Sequence, residues 1–64
     1  MIMAWVAVNK DGSEFIFEEN PIRKLDYFDV RYQFDDPVIQ LPKGSIKKLI
    51  GIELTWNDEP VELE

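Results

Sequence analysis

Ala4-Trp5-Val6-Ala7-Val8-Asn9-Lys10-Asp11-Gly12-Ser13-Glu14-Phe15-Ile16-Phe17 sets the architecture of this chain. Residues 4–8 are rich in β-branched and aromatic side chains and read as a strand. Asn9-Lys10-Asp11-Gly12 then supplies a turn, because Gly accepts a positive φ without steric cost and Asp tolerates it. Residues 13–18 form the return strand. Period-2 alternation puts Phe15 and Phe17 on one face and Glu14, Ile16 and Glu18 on the other. Two apolar runs on either side of Asp-Gly make an antiparallel hairpin, and the remaining chain is arranged around it.

Working outward from the hairpin, Glu19-Asn20-Pro21 ends the second strand, since Pro21 carries no ladder donor and restricts Asn20. Residues 22–26 are mixed in character and read as loop. Alternation returns from Tyr27 to Phe34, with Phe28, Val30, Tyr32 and Phe34 on one face and Asp29, Arg31 and Gln33 on the other. Asp35-Asp36-Pro37 is a turn signal, and Val38-Ile39-Gln40-Leu41 a short fourth strand. Pro42-Lys43-Gly44-Ser45 opens the one helix candidate, with Ser45 expected to cap its free N–H groups. Ile46, Leu49 and Ile50 then fall at i, i+3 and i+4 as an apolar stripe, and Gly51 supplies a left-handed stop. Ile52 to Trp56 reads as a fifth strand, 57–60 as a turn, and Val61-Glu62-Leu63 as a short terminal strand. The expected fold is α+β and mostly β: one small domain over 1–64, a small antiparallel sheet or half-barrel with one short helix, in the order β-β-β-β-α-β. The expected core is Trp5, Phe15, Phe17, Val30, Tyr32, Leu49, Ile50, Leu54 and Trp56.

Composition bounds what such an object can do. In 64 residues there are 7 Lys+Arg against 13 Asp+Glu, a formal net charge of −6, with no Cys and no His. Disulfides, thiolate or imidazole metal sites and His-dependent catalytic triads are excluded. Excess negative charge argues against direct binding of nucleic acid or of an anionic membrane, because both require a basic surface. The opening Met1 to Val8 is too short to span a bilayer and has no basic segment of a signal peptide. A soluble, intracellular (cytoplasmic) protein is the expectation.

Three local patterns have a chemical reading beside a simpler one. Asn9, Asp11, Ser13 and Glu18 fall at spacings reminiscent of a calcium loop, but the flanks read as strands, and hairpin turn chemistry accounts for them. Lys43-Gly44-Ser45 lacks the spacing of a phosphate loop, and helix capping explains it. The carboxylate pairs Glu18-Glu19, Asp35-Asp36 and Asp58-Glu59 look like turns and solvated faces, since acid–base catalysis also needs a pocket that shifts a pKa. No enzymatic activity and no cofactor are therefore expected.

Ile39-Gln-Leu-Pro-Lys-Gly-Ser-Ile-Lys-Lys-Leu-Ile-Gly51 and Glu53-Leu-Thr-Trp-Asn-Asp-Glu-Pro-Val-Glu-Leu63, with the opening Trp5-Val-Ala-Val-Asn-Lys-Asp-Gly-Ser-Glu-Phe-Ile-Phe17, resemble small proteins encoded by phages and prophages of gut Bacteroides-like bacteria. Residues 22–38 depart from that pattern. The resemblance implies a phage or mobile-element context and carries no catalytic residue. Together with the acidic balance it points to a protein partner, one with a basic nucleic-acid-binding groove, and to inhibition of a host defence or nucleic-acid-processing protein. Asp29, Asp35, Asp36, Asp58 and Glu59 are the expected contact residues, as imitators of a polyanion. The alternative is a structural or virion accessory protein, or a self-associating one forming a homo-oligomer by strand addition. A chain this short buries only about 60% of its unfolded surface, so each large aromatic matters. Trp56→Ala should cost about 3–5 kcal/mol, measured by denaturant unfolding.

Overall fold

A computed structural model describes residues 4–30 and 38–63. The hairpin forms as read: β1 (Ala4–Val8) pairs antiparallel with β2 (Glu14–Phe17), with Trp5 opposite Phe17 and Val8 opposite Glu14. Gly12 takes φ 91°, and its N–H donates to the Asn9 carbonyl at 2.9 Å. The Asp11 carboxylate accepts the Ser13 N–H at 2.9 Å. That backbone bond, reinforced by the Ser13 hydroxyl, holds the Asp11 carboxyl below its ordinary pKa. A depressed folded-state pKa means that this contribution to stability is present above the unfolded value and is lost as pH falls through the folded one.

Four further strands complete the pattern expected of a mostly-β α+β fold. β5 (Val38–Leu41) pairs antiparallel with β2, and β6 (Val61–Leu63) antiparallel with β1, so the main sheet has the order β5-β2-β1-β6. A separate two-stranded hairpin is made by β3 (Ile22–Arg23) and β4 (Phe28–Asp29). The single helix among the described residues, α1, is Ser45–Ile50.

β1 is internal to the sheet and is covered on both faces. Val6 and Val8 meet Ile46 of α1 and Leu54 on one side, with Ile16, Leu41, Ile50, Val61 and Leu63 around them. On the other side Ala7, Phe17 and Phe28 form a second cluster flanked by Trp5, Phe15, Val30 and Trp56. Val6 is 0% and Ile46 1% exposed, so these two set the centre of the helix-side layer.

Several expectations are corrected. Ser45 does not cap α1: its hydroxyl donates backward to the Pro42 carbonyl at 2.6 Å. The helix start is instead held from β2, where the Glu14 carboxylate accepts the Gly44 N–H at 2.7 Å and the Ile46 N–H at 2.9 Å. Gly44, with φ 91°, provides the left-handed residue that brings the chain into this contact. Gly51 ends the helix as expected, at φ 82°, with its N–H bonded to the Lys47 carbonyl at 2.8 Å.

Residues 52–56 are not a strand. The Thr55 N–H donates to the Asp58 carboxylate at 2.7 Å, the Asn57 N–H to the Thr55 hydroxyl, and the Asp58 N–H to the Thr55 carbonyl. The Thr55 N–H and carbonyl are thus spent within a local turn rather than a ladder, and β6 occupies the place beside β1. Residues 22–26 are not simply loop, because Ile22 and Arg23 pair with Asp29 and Phe28; two residues are too few to show a period. Of the strand expected over 27–34, Phe28–Asp29 forms β4, and 31–34 lie outside the described residues.

The core shifts accordingly. Phe17 and Leu54 are buried as expected, while Trp5, Phe15, Val30, Ile50 and Trp56 are half-buried. Leu49 is 55% exposed: α1 is only 6 residues long, and its Ile46 and Ile50 side meets the sheet. Tyr32 lies outside the described residues. Ala4, Val6, Ala7, Val8, Phe28 and Ile46 take the buried places. Glu14→Ala should lower stability by about 1–2 kcal/mol, and Ser45→Ala by less, because only Glu14 satisfies helix-start donors across the fold. Thermal unfolding of the two variants checks this order.

Candidate functional site

The β3–β4 hairpin is fastened to the body of the molecule from two directions. On one side the Asn9 side-chain oxygen accepts the Phe28 N–H at 2.9 Å, and the Lys10 N–H donates to the Asp26 carbonyl at 3.1 Å. On the other, Arg23 reaches the 55–58 turn. Its Nη1 donates to the Trp56 carbonyl at 2.6 Å and its Nη2 to the Asp58 carbonyl at 3.1 Å. The guanidinium carbon sits 4.4 Å from the Trp56 ring centroid and 4.7 Å from that of Phe28. Those two rings meet edge to face at 5.2 Å. A planar cation that donates in a fork and also lies over aromatic faces couples the hairpin to the turn in one contact set.

What this latch presents is the hairpin tip. The Lys24 N–H bonds to the Tyr27 carbonyl at 2.8 Å and closes the tip. Leu25 stands 94% exposed at its apex and Tyr27 43% exposed beside it. An apolar side chain offered on a fastened turn has little conformational freedom to lose on binding.

The expected contact residues fall as follows. Asp29 is half-buried on β4, and its carboxylate accepts the Val30 N–H at 2.8 Å. Asp58 is exposed, but its carboxylate holds the Thr55 N–H and hydroxyl, so it shapes the turn. Glu59 is exposed immediately after it. Asp35 and Asp36 lie outside the described residues. The Arg23 latch joins the hairpin that carries Asp29 to the turn that carries Asp58 and Glu59. Arg23, Leu25 and Tyr27 were not singled out by the sequence. An arginine beside aromatic-rich segments is a weak signal, and the partner carbonyls lie 33 and 35 residues away.

A groove of about 530 Å³ opens on the helix side of the sheet. The 9–12 turn, the start of α1 and the 53–57 segment form its walls, and Val8, Ile46 and Leu54 its floor. Among the described residues there is no cluster of three or more His, Cys, Asp or Glu able to hold a metal ion. Nor is any helix among them long and apolar enough to cross a membrane. No family model, no curated protein and no solved structure matches the chain.

Replacing Arg23 by Lys keeps the charge but removes the fork. Arg23→Lys should therefore destabilise the protein by about 1–2 kcal/mol and alter the near-ultraviolet signal of Trp56, read by circular dichroism and urea unfolding.

Proposed function

We propose that the protein is a non-enzymatic protein-binding module of phage or mobile-element origin, which docks on a basic surface of a host defence or nucleic-acid-processing protein and inhibits it. The observation that carries this reading is the latched corner. Exposed Leu25 and Tyr27 stand on a hairpin tied through Arg23 to the turn bearing Asp58 and Glu59. An apolar centre with a charged rim is the usual make-up of a protein–protein contact. The carboxylates supply the polyanion-like part, to which Asp29, Asp35 and Asp36 belong in the proposed surface. Asp58 acts there chiefly by shaping the turn, and Glu59 by direct charge. Binding of this kind is steered electrostatically and weakens with salt.

A second reading, self-association by strand addition, is favoured by one observation. β5 lies at the edge of the sheet with Val38 41% and Ile39 59% exposed. Light scattering at high concentration distinguishes it, a dimer or larger species supporting this reading and a monomer opposing it.

The main reading is tested by affinity capture from lysate of the encoding host at low and high salt. Wild type is compared with Leu25→Ser and Glu59→Gln, both at exposed positions. A nucleic-acid-processing or defence protein, released by high salt and retained about tenfold less by either variant, is the expected result. Equal capture by wild type and both variants would overturn it.

A further inference from the structure

The groove on the helix side collects cations in a protein whose net charge is −6. Lys10 comes from the hairpin turn, Lys43 from the segment leading into α1, and Lys47 from α1 itself. Three backbone segments thus direct lysines to one concavity. Two carboxylates also line it, Glu14 and Glu53. Glu14 is committed to the Gly44 and Ile46 N–H groups, while Lys43 also lies in the field of the Asp11 carboxylate on the hairpin turn. The floor of Val8, Ile46 and Leu54 is apolar. Charges above a low-dielectric floor in a concave site act more strongly on an anion than the same charges on a flat surface.

The geometry points to a binding site for a small oligophosphate, held by Lys10, Lys43 and Lys47. One carboxylate is satisfied by one or two cations. An oligophosphate carries its charge along a chain of oxygens and can meet ammonium groups on separate walls at once. Lysine serves as a point charge toward phosphate with no demand for a planar acceptor. The volume of about 530 Å³ falls within the range of small-ligand pockets. Glu53 opposes the ligand, whereas Lys48, beside Lys47 on α1, does not line the groove. Trp56 borders the groove and also belongs to the latched corner, but none of the three lysines takes part in the latch.

Titration of the full chain with sodium tripolyphosphate, followed by amide NMR at constant ionic strength, tests this. Saturable shifts are expected at Gly12, Lys43 to Lys47 and Asn57. The Lys43→Gln, Lys47→Gln double variant should bind at least about tenfold more weakly. Lys48→Gln should match wild type, and Glu53→Gln should bind more tightly. Shifts that do not saturate, or an equal loss in Lys48→Gln, would overturn the assignment, since either means diffuse attraction to positive charge.

Discussion

The carboxylate of Glu14, bridging the Gly44 and Ile46 N–H groups at 2.7 and 2.9 Å, is the contact on which the helix-side half of the molecule depends. A helix of 6 residues has more free N–H groups than internal bonds and does not persist in water alone. Glu14 lies opposite Leu41 in the β2–β5 ladder, so it stands beside the chain just before Gly44. Pairing of β5 therefore delivers the helix start to a carboxylate already placed by the hairpin. Once held there, Ile46 falls on Val6 and the helix-side core closes.

The opposite face is closed by a different device. β1 has neighbours on both sides within the sheet, and its odd and even side chains each need cover. The β3–β4 hairpin supplies Phe28 and the 55–58 turn supplies Trp56, but neither is part of the main sheet. Arg23 joins them through two carbonyls and two ring faces. The same cation thus completes the second core layer and fixes the surface that carries Leu25, Asp58 and Glu59. Stability and presentation share one contact here, as expected where a small domain has few elements to divide between them.

Charge is arranged by the same folding events. Lys10 and Lys43 lie far apart in sequence, yet the Glu14 contact brings the helix start beside the hairpin turn, and both lysines come to line one groove. The exposed acids Glu59 and Glu62 fall on the segment that leads into and forms β6. A protein with an acidic total thereby gathers three of its lysines along one concavity.

The first hairpin, the helix span, the terminal strand and the mostly-β class are legible in the amino-acid order alone. Each rests on short-range rules: Asp-Gly at a turn, period-2 alternation, an i, i+3, i+4 stripe and a left-handed glycine stop. What caps α1, whether 52–56 extends into a ladder and which apolar residues are buried depend on contacts between distant segments. Glu14 replaced Ser45 because a charged acceptor was delivered from β2. Asp58 took the Thr55 N–H and carbonyl into a local turn, away from the ladder of a fifth strand. Leu49 stayed exposed because so short a helix meets the sheet through Ile46 and Ile50. The candidate sites divide in the same way: acidic turns are visible in sequence, whereas the Arg23 latch and the lysine groove join residues distant along the chain, and no local pattern encodes such a juxtaposition.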